Sequence, residues 1–197
     1  MAGRTHQKNR TRQAIVDGCA ELLDGGVTPT IDSIVEHTQI SRATVYRYFK
    51  SVADIVLHVM SDRDVEATVG SVADAGPDVA DRVAAAERAV NDYLFAHPDQ
   101  VRQFEIGVIQ RQIDDVALED DRSARRLLYI DEAIAPIANE LDDQTRERLR
   151  YGLAMPIGSE ALIALLDSCK VDNDTARDVT RWVCEAIVEK ALRERSA

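Results

Sequence analysis

Residues 30–56 read TIDSIVEHTQISRATVYRYFKSVADIV, and the way this stretch divides decides the fold. Ile31, Ile34 and Val35 recur at helical spacing. Thr30 stands in the preferred N-cap position, and Asp32 lies in the first turn, where a carboxylate is favoured by the helix dipole. After Thr38, Gln39 and Ile40, the segment SRATVYRYFK (41–50) carries a second short helical pattern with Ser41 as its N-cap. Ser51-Val52-Ala53-Asp54 has the spacing of a capping box. It opens a further helix that carries Val52, Ile55, Val56, Val59 and Met60 inward. Two short helices joined by a three- or four-residue turn are a helix-turn-helix unit, whose second helix enters the DNA major groove.

A rotation of about 100° per residue tests whether 41–50 has an outward face suited to that task. With Val45 as reference, Phe49 and Tyr48 fall on the buried side. Ala43 and Arg47 point away from the core, Tyr46 and Thr44 flank them, and Arg42 sits at the exposed end. Arg pairs bidentately with guanine O6 and N7, and Ala and Thr methyls meet the thymine methyl group. A small residue at Ala43 also lets the backbone approach the base edges. Ser41, Tyr46 and Lys50 suit phosphate oxygens, and Thr30 presents a second helix N-terminus to the DNA backbone. The basic residues Arg4, Lys8, Arg10 and Arg12 fit an arm along that backbone or in the adjacent minor groove. The same 41–50 pattern also fits an ordinary amphipathic surface helix, or one that contacts a protein.

Charge is divided in a way that matches the first reading. The 197-residue chain has a net charge of -11, yet residues 1–50 hold seven Lys/Arg against five Asp/Glu, a net of +2. The other 147 residues therefore carry 17 against 30, a net of -13. A small basic head on an acidic body repels DNA everywhere except at the head.

Elsewhere the chain reads as helix. Ile15, Cys19, Leu22 and Leu23 share one face between Lys8 and Leu23, and Gly25-Gly26 ends that helix. A break at Gly70 to Pro77 is followed by helical periods at 78–96, 98–113, 120–141, 143–169 and 174–195. Period-two alternation is missing and aromatics are only 5% of residues, so the expectation is an all-α fold of about nine helices. The expected organisation is a three-helix helix-turn-helix DNA-binding domain over 1–57 and a larger helical ligand-binding and dimerisation domain over 58–197.

The stretch 30–56 resembles the DNA-binding domain of TetR-family transcriptional regulators. The resemblance rests on an initial helix, Thr-Ile-x-x-Ile, a short turn, Ser-x-Ala-Thr-Val-Tyr-x-Tyr-Phe, a Lys and a fourth helix. It covers residues 8–60; beyond them only helix number and length agree. It implies base or phosphate contacts from Thr30, Arg42, Ala43, Thr44, Tyr46, Arg47 and Lys50, with Val45 and Phe49 in the core. Gln39 stands where the family usually has Gly, and a positive φ there would cost about 1 kcal/mol. Ala43 replaces the commoner Gly, and Val52-Ala53 replaces the usual charged pair. The implied function is a sequence-specific transcriptional regulator, a repressor that binds a palindromic operator in double-stranded DNA as a homodimer. A small apolar or amphipathic effector would release it; a regulator without an inducer, or an activator, is the alternative.

The resemblance also implies that the last two long helices form an intermolecular four-helix bundle. Small residues at Gly152, Gly158, Ser159, Ala161 and Ala164 would permit close helix approach. The last helix offers Ala176, Val179, Val183, Ala186 and Ile187, with the sole tryptophan, Trp182, beside them. The candidate interface is Gly158, Ala161, Val179, Trp182, Val183 and Ala186; packing within one subunit fits the same pattern. Pro156 and Pro136 lie inside helical periods and should kink them. Near these kinks Tyr93, Phe104, Ile130, Ile134 and Met155 outline an apolar ligand pocket, or else plain core. The segment 98–113 carries two apolar stripes, Val101-Phe104-Val108 and Ile106-Ile109-Ile113, and reads as buried on two sides. By resemblance it lies between pocket and head, touching the first and fourth helices.

Catalytic patterns are missing. His6, His37, His58 and His97 are scattered, and neither a Gly-rich phosphate loop nor GxSxG is present. No catalytic residue, metal site or cofactor is assigned, and the chain reads as a non-enzyme. The acidic run Asp114-Asp115 and Glu119-Asp120-Asp121 reads as a solvated loop, with cation binding as the alternative. Cys169 and Cys184 read as free thiols or as a redox pair across two helices. No apolar run approaches the ~20 residues of a membrane span and no export signal is evident, so a cytoplasmic protein is expected.

Overall fold

Caps and breakers set the helix ends. The computed structural model describes residues 2–61, 65–114 and 122–195, with side chains over 6–60, 68–114 and 125–195. Among the described residues there is no strand. The helices are α1 (Ala2–Asp24), α2 (Ile31–Thr38), α3 (Arg42–Tyr48), α4 (Val52–Ser61), α5 (Val65–Ala73), α6 (Val79–Ala96), α7 (Pro98–Ile113), α8 (Arg122–Ile134), α9 (Asp143–Ala154), α10 (Ser159–Leu162) and α11 (Asn173–Arg195). The fold is all-α, with more helices than nine. Val65–Ala73 stands as an element of its own, and Pro156 divides 143–169 outright. Asp78 and Asp142 act as N-caps, their carboxylates accepting from Ala80 N at 2.8 Å and Thr145 N at 2.9 Å.

The chain forms two units, Met1–Arg63 with Asp99–Leu118, and Asp64–Pro98 with Glu119–Ala197. The first unit thus reaches beyond residues 1–57 and takes in α7. Its core joins Ile15, Cys19 and Leu23 of α1 to Ile34 of α2, Val45 of α3, Phe49 and the Ile55-Val56 pair of α4. Helix α7 lies so close to α4 that a Cβ on Gly107 would stand 2.6 Å from the Ala53 carbonyl oxygen. Val101 is fully buried and Phe104 packs against the same core, whereas Ile106, Ile109 and Ile113 are exposed. The expectation of burial on two sides is therefore corrected. Its neighbours in this unit lie on one side: Gln100 donates to the Leu23 carbonyl of α1 at 3.3 Å, and Gly107 meets α4.

The second unit packs Val79, Val83 and Ala86 of α6 against Ile130, Ala133 and Ile134 of α8. Leu149 and Leu153 of α9 and Cys184, Val188 and Ala191 of α11 complete this core. Pro136 terminates α8 rather than kinking it, and a 3₁₀ turn (Ala138–Glu140) follows. At Pro156 the chain also breaks: α9 and the helical stretch from Ser159 are bent by 54°, and α10 runs on as a π-helix over Ile163–Ser168. Asn91 of α6 holds this joint, donating to Pro156 O at 2.8 Å and accepting from Gly158 N at 3.1 Å. It also donates to Glu87 Oε1, which accepts from Thr180 of α11 at 2.8 Å. Glu87, Asn91 and Thr180 are all buried, so these bonds replace water that folding removed. No single described helix is long and apolar enough to cross a membrane.

Candidate nucleic-acid interface

Local hydrogen bonding sets the two helices at the centre of the first unit. Thr30 is extended, and its hydroxyl accepts from Ser33 N at 3.1 Å while Ser33 Oγ accepts from Thr30 N at 2.9 Å. This reciprocal pair starts α2. Gln39 ends it in the left-handed region at φ 56° and ψ 21°. The conformation expected where the resembled family has Gly is therefore present, at a cost of about 1 kcal/mol. Local bonds hold the turn: Gln39 Nε2 donates to Glu36 O, and Thr38 Oγ1 donates to Ile34 O at 2.7 Å. Ser41 then caps α3, accepting from Thr44 N and donating to Thr44 Oγ1 at 2.9 Å.

Helix α3 has the facing derived from its periodicity. Val45 is 0% exposed and Phe49 is buried, while Arg42, Ala43, Arg47 and Lys50 are exposed and Tyr46 is 49% exposed. Thr44 is half-buried. Phe49 reaches the core from an extended cap (φ -135°), not from the helix, with its N–H bonded to Val45 O at 3.0 Å. The Arg47 guanidinium lies 5.3 Å from the Tyr48 ring centre. Thr30, Ser41, Arg42, Ala43, Thr44, Tyr46, Arg47 and Lys50 thus fall on or beside one helix-turn-helix.

Two of the cations meet carboxylates. Arg42 is ion-paired with Asp32 of α2. Lys50 Nζ lies 2.7 Å from Asp114 Oδ2, just beyond α7, and Gln110 Nε2 donates to Asp114 Oδ1 at 3.0 Å. The Lys50 hydrogen bond, with help from Gln110, holds the Asp114 carboxyl below the usual carboxylate range.

The basic N-terminal residues are corrected. They do not form an extended arm: residues 2–24 are helix α1. The Arg12 guanidinium sits 5.3 Å from the Phe49 ring centre and donates to His58 Nε2 at 2.9 Å. Arg111 of α7 donates to the same nitrogen at 2.6 Å and to Asp54 Oδ1 at 2.7 Å. Arg12 is therefore part of the packing that joins α1, α4 and α7. Lys8 and Arg10 are exposed, and Arg10 lines an open cleft of about 700 Å³ between α1 and the turn, with His6, Thr38 and Ile40. The Arg4 side chain lies outside the described residues, as do Asp115, Glu119, Asp120 and Asp121 of the acidic run.

In the second unit the proposed dimer residues divide. Trp182 is 66% exposed and, with Val183 and Ala186, lines an open, largely apolar groove of about 420 Å³ between α9 and α11. Leu149, Gly152 and Ile187 complete its floor. Gly158 and Ala161 are buried instead, and a Cβ on Gly158 would stand 2.6 Å from the Arg126 guanidinium carbon. The break at Pro156 turns these two inward, so they share no stripe with Gly152. Val179 is half-buried and lies outside the groove lining.

The pocket reading is corrected too. Phe104 packs in the first unit, Ile130 and Ile134 fill the core of the second, and Met155 is 74% exposed. Tyr93 packs against His97, the rings tilted by 37° with their centres 4.5 Å apart. None of the five lines the groove between α9 and α11.

Cys169 is exposed while Cys184 is buried, and burial pushes the Cys184 thiol up to about 12. Among the described residues no three His, Cys, Asp or Glu side chains are grouped to hold a metal ion. Sequence reasoning missed the Asp114 contact and the approach at Gly107. A glycine inside the apolar stripe of 98–113 was the available signal for the latter. No family model, curated protein or solved structure matches the chain.

Proposed function

We propose that this chain is a cytoplasmic, sequence-specific DNA-binding transcriptional regulator that represses by binding a palindromic site in double-stranded DNA as a homodimer. The observation that carries the reading is the exposed face of α3. Arg42, Ala43, Tyr46 and Arg47 lie on the solvent side of a short helix that follows a three-residue turn, while Val45 anchors its other side. Inserted in a major groove, Arg47 and Arg42 reach guanine edges, and Ala43 brings the backbone close to the bases. Ser41, Tyr46 and Lys50, with the start of α2 at Thr30, meet phosphates and fix the register. The net charge of +2 over residues 1–50 on a chain of -11 directs DNA to this surface alone.

One such head reads few base pairs, so a second copy is part of the proposal. The groove lined by Trp182, Val183 and Ala186 is the surface assigned to it: an exposed tryptophan at the edge of an apolar groove fits the centre of an interface. Release by a small apolar effector belongs to the same proposal and rests on the resemblance of residues 30–56.

The test is duplex binding by fluorescence anisotropy between about 50 and 200 mM salt, wild type against Arg47→Ala. Wild type should weaken steeply with salt. Arg47→Ala should lose about 1–3 kcal/mol of binding with an unchanged melting temperature. Unaltered binding would remove Arg47 from the interface, and an unfolded variant would show that the facing of α3 is wrong.

A further inference from the structure

We infer that Asp114 sets the DNA affinity of the head: its carboxylate occupies Lys50 in the place of a DNA phosphate, so Lys50 joins DNA only by exchanging one anion for the other. The inference rests on the proposed function and deepens it by naming a residue that regulates the same surface. Lys50 directly follows the recognition helix and its phenylalanine cap, and its ammonium lies 2.7 Å from Asp114 Oδ2.

The carboxylate is the fixed partner and the ammonium the adaptable one. The Asp114 side chain is 29% exposed against 69% for Lys50. Gln110, one turn back on α7, holds the other carboxylate oxygen at 3.0 Å. Helix α7 is itself locked to α4 by the Gly107 approach and by Arg111 on Asp54 at 2.7 Å. Asp54 Oδ2 in turn accepts from the Lys50 backbone N–H at 3.2 Å. A chain of contacts from Arg111 through Asp54 thus fixes the backbone of Lys50 relative to the helix that carries Asp114. The other pair, Arg42 with Asp32, has both side chains more than half exposed and no comparable tether, so it exchanges readily. Asp114, like any accessible aspartate, is ionised at neutral pH, and the Lys50 contact favours that charged form further.

A carboxylate fixed beside a phosphate-binding lysine acts in two ways. It withholds one cation from the DNA, and once displaced it repels the phosphate that replaced it. Asp114→Asn should therefore tighten duplex binding about two- to fivefold per half-site. The slope of log affinity against log salt should steepen by about 0.9 per protomer, because one more phosphate is neutralised. Lys50→Gln alone leaves the Asp114 carboxylate unpaired beside the phosphates and should weaken binding; added to Asp114→Asn it should abolish both gains. Asp99→Asn, which removes one negative charge from the first turn of the same helix, should leave the slope unchanged.

The experiment is anisotropy of the full chain on the same duplexes, over a salt series, with melting curves for each variant. An Asp114→Asn protein that binds no tighter and with the same slope overturns the inference while leaving the proposed function standing. The same holds if the gain of Asp114→Asn survives the addition of Lys50→Gln. A wild-type protein that binds no duplex at any salt concentration overturns both.

Discussion

Replacing Gly107 by alanine would set one methyl group against the backbone of α4. The added Cβ would lie 2.6 Å from the Ala53 carbonyl oxygen, 3.1 Å from its carbonyl carbon and 3.1 Å from Leu57 Cβ. Carbon meets a carbonyl oxygen at about 3.3–3.6 Å, so α7 and α4 must separate by roughly 0.7 Å. A side chain could rotate away from the clash; the Ala53 carbonyl, bonded within its helix, cannot. Overpacking of this kind costs about 1–3 kcal/mol, against a gain of about 1 kcal/mol from removing a helical glycine. Gly70→Ala supplies the reference, since that position in α5 is exposed and a Cβ there meets nothing within 4 Å. With helix propensity cancelled, Gly107→Ala should be less stable than Gly70→Ala by about 1–3 kcal/mol. Urea unfolding followed by circular dichroism measures the difference, and native-state amide exchange in α4 and α7 assigns it to the first unit. Equal stabilisation by both alanines would refute the packing of α7 on α4, and with it the reasoning that fixes Asp114 beside Lys50.

Other perturbations reach the turn, the broken joint, the groove and the thiols. Gln39→Gly should raise stability by up to about 1 kcal/mol, because φ 56° suits glycine; a loss in urea unfolding would show that the Gln39 bond to Glu36 O outweighs the strain. Asn91→Ala strands Gly158 N–H and Pro156 O in a buried site, takes from Glu87 Oε1 one of its two donors, and should cost about 3 kcal/mol; a thermal shift below 2 °C would contradict that. Trp182→Glu should give monomers in analytical ultracentrifugation without loss of helix, whereas a surviving dimer would move the interface off the α9–α11 groove. Burial pushes the Cys19 and Cys184 thiols up to about 12, so only Cys169 should react rapidly with a disulfide reagent at pH 8, and fast reaction of a second thiol would contradict this burial. A raised thiol pKa contributes stability that is complete below about pH 8.5 and declines as pH rises toward 12, so alkaline melting should show that loss.

The helix-turn-helix was legible because its determinants are local. Thr30 and Ser41 cap the helices they precede, and periodicity alone separates Val45 from Arg42, Ala43, Tyr46 and Arg47. The positive φ at Gln39 was signalled only by the resemblance, which places a glycine at that position. Features that depend on distant partners were less legible. The two stripes of α7 have similar composition, and only the core of α1 and α4 on one side decides that Phe104 packs inward and Ile109 does not. Arg12 carries the same charge as Arg10, yet Phe49 and His58 draw it into the packing. Apolar residues at 93, 104, 130, 134 and 155 cannot reveal by composition whether they line a space or fill one. Helical phase was lost at Pro156, where α9 stops at Ala154 and the chain restarts at Ser159. That break leaves Gly152 under the groove, turns Gly158 and Ala161 inward and leaves Met155 in solvent.

The central claim is that α3 reads DNA sequence from a two-fold dimer. Its most direct test is selection of bound duplexes from a random library by the full-length chain, with the recovered sequences compared at two salt concentrations. The account predicts an inverted repeat whose half-sites lie about one helical turn, roughly 34–36 Å, or a multiple of it apart, with the same bases recovered as salt weakens binding. Recovery of unrelated sequences at both salt concentrations would contradict it.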